Sequence, residues 1–162
     1  MKQTLFLLAA LSIASSVRAE SAGGIQWTAP PGWKAEAPRA MRAATYRVPA
    51  APGDKEDGEC GVFYFGPGQG GSVDDNIQRW TGQFQTNAKP QIRKQTINGV
   101  PVTTIDLSGA YLAGGAAKPG YRLLGAIAEA PQGGVFFKFT GPAQTVGGHQ
   151  AAFQKMIQSI RR

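Results

Sequence analysis

The chain has 162 residues, with 17 Lys and Arg against 10 Asp and Glu and a formal net charge of +7. The basic residues are scattered along the sequence, whereas nucleic-acid-binding proteins usually gather them in a stripe or run, so we expect no nucleic-acid partner. Cys60 is the only cysteine, which excludes an internal disulfide bond. Beyond the N-terminus no stretch approaches the ~18 consecutive apolar residues of a membrane-spanning helix, so we expect no integral membrane segment.

The N-terminus has the pattern of a secretory signal peptide. Lys2 precedes an apolar run over residues 5–14, and small residues follow, ending at Ala19. This pattern predicts that residues 1–19 are a signal peptide cleaved after Ala19, and that the protein is periplasmic or secreted. The length of the remainder, residues 20–162, predicts a single domain.

The predicted strands alternate with turn-forming segments. Residues 20–24 read as a short flexible lead, and the Pro-Pro-Gly turn before Trp33 ends the first strand. Asn98-Gly99 is a strong hairpin signal between two further strands. The predicted strands are, in chain order, IQWT around Trp27, residues 41–48, residues 60–65, the two flanking Asn98-Gly99, residues 121–130 and residues 135–139.

Two helices are predicted. The first covers residues 72–84, where Ser72 can act as N-cap and Asp75 completes a capping-box variant. Its apolar residues recur at steps of four, three and four, forming one stripe of Val73, Ile77, Trp80 and Phe84. The second runs from about Thr145 to the C-terminus. Because short turns favour antiparallel pairing, we predict an α+β fold, an antiparallel β-sheet flanked by two main helices.

A glycine-rich loop joins a predicted strand to the first helix. Gly66, Gly68 and Gly71 spell G-x-G-x-x-G, which is also the pattern of dinucleotide-binding turns. That function requires an acidic residue about 20 residues later to hold the ribose, and no Asp or Glu lies between Asn76 and Ile105. We therefore predict that the glycines provide positive φ in a tight connection, or that they shape a recognition loop.

A polar stripe lies beside the apolar stripe of the first helix. Asn76, Arg79 and Gln83 are spaced at i, i+3 and i+7. Arg79 could bind a carboxylate of a partner or pair with Asp75 four residues earlier. The hypothesis is a partner-binding surface made of the loop and the exposed side of the helix: Gly68, Gly70, Gly71, Asn76, Arg79 and Gln83.

Other candidate sites carry weaker signals. Cys60 and His149 are the only pair available for nucleophilic catalysis, and we expect both to have packing or capping roles instead. We therefore predict no catalytic residue, no cofactor and no metal site. The acidic segment with Asp54, Glu56, Asp57 and Glu59 lacks the EF-hand spacing, which leaves calcium binding as an alternative only.

The two ends of the domain resemble a known fold. The stretch W-x-x-P-P-G-W from Trp27 to Trp33 and the closing segments FFKFTGPAQTV and FQKMIQSI resemble the PsbP-like superfamily. The segments MRAATYRVP, VFYFGPGQGG and NIQRWTGQF resemble exported bacterial proteins of that type whose roles are unknown. The resemblance implies an α/β/α sandwich and a non-enzymatic, protein-binding or assembly role, and it carries over no catalytic residues.

These observations lead to one functional hypothesis and two alternatives. We expect an exported, non-catalytic binding or accessory protein with a protein partner in the cell envelope. The first alternative is a carrier for a small ligand or calcium, and the second, less favoured, is a hydrolase based on Cys60 and His149.

Overall fold

The computed structural model describes residues 19–162. Over this range the chain forms ten strands and three helices. In chain order they are β1 (Ala19–Ala22), β2 (Ile25–Thr28), β3 (Lys34–Ala35), β4 (Arg42–Val48), β5 (Gly58–Tyr64), α1 (Val73–Thr81), β6 (Phe84–Gln85), β7 (Gln91–Ile97), β8 (Val100–Tyr111), β9 (Lys118–Ala130), β10 (Gly133–Pro142), α2 (Ala143–Gly148) and α3 (Gln150–Gln158).

One antiparallel sheet dominates the molecule. Its strand order is β3-β4-β5-β10-β9-β8, and beyond β8 the two strands β6 and β7 pair with different parts of β8. A separate hairpin, β1-β2, pairs residue by residue from Ala19 with Thr28 to Ala22 with Ile25. The prediction of an antiparallel α+β fold is thus confirmed, but the helices are short and the sheet outweighs them.

Each face of the sheet carries its own apolar cluster. On one side, α3 and β2, which carries Trp27, pack on sheet residues that include Tyr46, Phe137 and Phe139. On the other side, Trp80 of α1 covers residues of β8, β9 and β10, among them Ile105, Ile127 and Phe136. Gly125 makes room for this helix, because a Cβ there would lie 2.4 Å from the Trp80 ring.

Several local predictions are confirmed. Asn98 and Gly99 both have positive φ, 47° and 80°, as a tight hairpin between β7 and β8 requires. Ser72 caps α1, and its side chain forms the reciprocal capping box with Asp75.

Several boundaries differ from the predictions, and three of the differences concern the helices and the N-terminal segment. Helix α1 ends at Thr81 because Gly82 is its C-cap, and Phe84 then enters β6 while remaining buried under the helix. The predicted C-terminal helix is divided at His149 into α2 and α3, where Gly147 and Gly148 weaken the helix. Residues 20–24 are not a flexible lead, since most of them belong to the β1-β2 hairpin.

The predicted signal peptide falls almost wholly outside the described residues, which begin at Ala19. Within residues 19–162, no helix has the length and apolar character needed to cross a membrane.

Candidate functional site

The glycine loop, residues 66–71, has the backbone that its sequence predicts. Gly66, Gly68, Gly70 and Gly71 have φ values of 101°, 68°, 93° and 80°. L-residues with a Cβ rarely adopt this region, so the loop depends on glycine at these positions. The amide of Gln69 donates to the carbonyl of Gly66 at 3.2 Å and closes the turn.

Asn76 fastens the glycine loop to α1. Its Nδ2 donates to the carbonyl oxygens of Gly70 and Ser72, each at 2.8 Å, and its Oδ1 accepts a bond from Arg79 Nη1 at 3.1 Å. The side chain is only 2% exposed. The prediction that Asn76 lies on the exposed side of the helix is therefore wrong, because the loop folds back over the first turn of α1.

Arg79 lies at the surface beside the glycine loop. Its Nη2 would be 3.8 Å from a Cβ added at Gly71, so the guanidinium borders the loop backbone. Within residues 19–162 no carboxylate comes within 4.0 Å of it. Asp75, the alternative partner considered for it, accepts its bonds from Ser72, which hold the pKa of that carboxyl below its usual value. The Arg79 guanidinium therefore keeps donors for another molecule.

Gln83 belongs to a different cluster. Its Oε1 accepts a hydrogen bond from Lys138 Nζ, which also lies 3.4 Å from the hydroxyl of Tyr111. Burial, together with the nearby charge of Arg42, lowers the pKa of Lys138 to about 8. Of the six predicted site residues, the structure brings five together at the loop and along α1, and places Gln83 apart from them.

Gly68 and Gly71 line a surface groove, which we call the glycine-loop groove. Its volume is about 730 Å³, and its lining includes the half-buried side chains of Val73 and Ala130. Three charged residues also line it: Asp74, Glu129 and Lys94. An apolar patch with charged groups around it is suited to a polypeptide segment or an amphipathic small molecule.

Cys60 and His149 make structural contacts, Cys60 in the core and His149 at the edge of the core. Cys60 is 0% exposed in the centre of β5, and burial raises the pKa of its thiol. His149 Nδ1 accepts a bond from Trp33 Nε1 at 3.3 Å, and His149 Nε2 lies 3.0 Å from the carbonyl oxygen of Pro49, to which it donates. Both ring nitrogens are therefore occupied by structural partners, as the packing interpretation of these residues expects.

The four carboxylates of the acidic segment have separate structural partners. Asp54 accepts bonds from the backbone and hydroxyl of Thr145, and Asp57 accepts one from the backbone of Ala50. Glu56 pairs with Lys118 and Tyr121, while Glu59 pairs with Arg39 and Arg42. In the described part of the chain, no group of three His, Cys, Asp or Glu residues is arranged to hold a metal ion.

Sequence reasoning missed Lys138. It is a single charge in the run VFFKF, and strand alternation places it on the α1 side of the sheet. The sequence did contain a signal for it: a single charged residue lies in an otherwise apolar strand. A charge in a buried strand needs polar partners, which indicates a polar cluster there.

Comparisons with known proteins identify the fold. No protein-family model and no curated protein matches the chain. The solution structure of cyanobacterial PsbP (CyanoP) from Synechocystis sp. PCC 6803 superposes with a TM-score of 0.57 and 11% identity, covering 95% of this chain and 97% of that one. The crystal structure of PA94, a protein of unknown function from Pseudomonas aeruginosa, gives 0.52 and 13%, covering 88% and 94%. These similarities, together with the antiparallel sheet, show that the chain has a PsbP-like fold.

Proposed function

We propose that this protein is an exported, non-catalytic accessory protein that binds a protein partner in the cell envelope through the glycine-loop groove and Arg79. The observation that carries the proposal is a hydrogen-bonded loop beside an arginine that pairs with no carboxylate among residues 19–162. Asn76 holds the loop through two bonds at 2.8 Å. A preformed loop loses little conformational entropy when it binds, so more of the contact energy appears as affinity.

Arg79 gives the surface its chemical preference. Its planar guanidinium can donate two parallel hydrogen bonds to a carboxylate, and arginine is enriched at the centres of protein interfaces. The half-buried apolar side chains in the groove, Val73 and Ala130, supply area for a partner's apolar residue. We therefore expect the partner to present a carboxylate next to an apolar side chain.

The absence of catalysis is part of the proposal. Its support is that the Cys60 thiol is buried and protonated, and that the two nitrogens of His149 are bound to Trp33 and Pro49. Export is supported by the signal pattern from Lys2 to Ala19.

The test is site-specific photo-crosslinking in the native cell envelope. A photoreactive amino acid replaces Gln69, an exposed residue of the loop. The comparison is between this protein, the same protein with Arg79→Ala and a control with Gln78→Ala, which changes a neighbouring exposed residue of α1. We expect one protein adduct that persists with Gln78→Ala and is lost with Arg79→Ala.

Two outcomes would contradict the proposal. An adduct of equal yield in all three proteins would exclude Arg79 from the interface. The second outcome has two parts: no adduct forms, and a small molecule raises the melting temperature of wild type but not of Arg79→Ala. Together these results would assign the groove to a small ligand instead.

A further inference from the structure

Strand β7 is a long strand at one edge of the sheet. It pairs with β8 over seven consecutive residues, from Gln91 with Asp106 to Ile97 with Val100, with no register shift. Among residues 19–162 no strand pairs with its other side. The opposite end of the sheet is the two-residue strand β3. Proteins usually shorten, bulge or cover their edges, and β7 shows none of these three devices.

Both faces of β7 are also open. Six consecutive residues, Gln91 to Thr96, are exposed, and Ile92 is 45% exposed. Alternation places Ile92 and Lys94 on the α1 side of the sheet, and Arg93 and Gln95 on the α3 side. A groove of about 460 Å³ separates β7 from α3 on that side. A strand added at this edge would thus find space for side chains on either face.

The charged residues on β7 and next to it in the sequence are all basic. Between Asn76 and Ile105 the chain contains four basic residues and no Asp or Glu. Within the described residues, Lys89, Arg93 and Lys94 have no carboxylate within 4.0 Å. By contrast, the cations of the β4 and β9 region are paired with acids: Arg39, Arg42, Arg47, Lys118 and Arg122.

We propose that the outer edge of β7 is a docking site for an extended acidic polypeptide segment, which adds to the sheet as a further strand. Backbone hydrogen bonds along the seven residues of β7 supply affinity, and acidic residues at adjacent positions of the segment face Arg93 on one side and Lys94 on the other. Ile92 gives an apolar contact beside Lys94. This site shares Lys94 with the lining of the glycine-loop groove, but it does not use Arg79 and does not depend on the function proposed above.

The first experiment measures binding of a fluorescent peptide by anisotropy. The probe matches β7 in length and has two adjacent glutamates at its centre, flanked by valine and threonine. We expect it to bind, and the same peptide with lysines in place of the glutamates to fail. If neither peptide binds, Arg93 and Lys94 only protect the edge from aggregation, and the proposal is wrong.

Matched charge reversals locate the site on the protein. Arg93→Glu with Lys94→Glu should weaken binding by about tenfold or more, because each attraction becomes a repulsion. Lys34→Glu with Lys55→Glu makes the same change in net charge at two exposed lysines away from β7, which pair with no carboxylate among residues 19–162, and should have little effect. Arg79→Ala should leave peptide binding unchanged, which distinguishes binding at β7 from binding that uses Arg79.

Backbone methylation distinguishes strand addition from charge attraction alone. In a β-strand, the N–H groups of alternate residues point to one edge, and those of the residues between them point to the other edge. Two probes that carry N-methyl groups on these two alternate sets of residues are therefore blocked at opposite edges. We expect one methylated probe to lose binding and the other to keep it. Equal affinities of the two methylated probes would overturn the proposal. A dimer of the protein through β7, seen by analytical ultracentrifugation and insensitive to the probe, would overturn it as well.

Discussion

The side-chain amide of Asn76 donates a hydrogen bond to the carbonyl oxygen of Gly70, and the two atoms are 2.8 Å apart. A second bond of equal length reaches the carbonyl of Ser72, the N-cap of α1. One buried side chain therefore couples the conformation of the glycine loop to the first turn of the helix.

Replacing Asn76 with alanine should destabilise the protein. The change leaves two carbonyl groups and Arg79 without their partner, and a loss of about 1–3 kcal/mol in the free energy of unfolding is expected. Urea unfolding followed by tryptophan fluorescence measures it. Gln78→Ala, at an exposed position of the same helix, should change stability by less than about 0.5 kcal/mol. If the Asn76→Ala protein is as stable as this control, the hydrogen bonds of Asn76 do not hold the loop in place.

Alanine at Gly70 should cost more stability than alanine at Gly68. Both glycines have positive φ, so either change strains the backbone by about 1–2 kcal/mol. At Gly70 the added Cβ would also lie 2.8 Å from Phe136 and 2.9 Å from Phe65, whereas at Gly68 nothing lies within 4 Å. We expect a further loss of about 1 kcal/mol or more at Gly70 from this overlap. The same urea experiment compares the two variants, and equal losses would contradict the packing of the loop on Phe136.

The sheet could be predicted from sequence because its signals are local. Asn98-Gly99 specifies a hairpin, and short turns between apolar runs impose antiparallel order. Strand β1 could not be predicted in the same way, since residues 20–24 have little apolar pattern. Their strand exists because β2 offers them a pairing partner, which is a tertiary effect.

The candidate site could be predicted only in part. Positive φ follows directly from the glycines of the loop, and the structure confirms it. Helical spacing placed Asn76 on the surface because the pattern carries no information on how the preceding loop folds. Gln83 lies beyond the C-cap Gly82, so the i+7 relationship with Asn76 does not apply to it, and its direction is set by Lys138.

Cys60 should be unreactive in the folded protein. Its side chain is 0% exposed, and burial raises the pKa of the thiol, so the reactive thiolate is absent at neutral pH. We expect a thiol-specific reagent to modify Cys60 only at the rate of unfolding, and rapidly in urea. Fast modification without denaturant, slowed by His149→Ala, would instead support the hydrolase alternative.

Lys138 should make the stability of the protein depend on pH. Burial lowers its pKa to about 8 in the folded state, below the value of about 10.4 in an unfolded chain. Between these values the unfolded state binds more protons, so the contribution of Lys138 to the free energy of unfolding rises with pH. Its destabilising effect is fully present below pH 8 and is lost as the pH rises towards 10.4.

The test compares wild type with Lys138→Met by urea unfolding between about pH 7 and about pH 9.5. Cys60 and Tyr111 have raised pKa values and act in the opposite direction, but they are present in both proteins and cancel in the difference. Wild type should gain about 1–2 kcal/mol relative to the variant over this range, given about 1.4 kcal/mol per pKa unit. A difference that stays constant with pH would show that the hydrogen bond to Gln83 keeps Lys138 charged despite its burial.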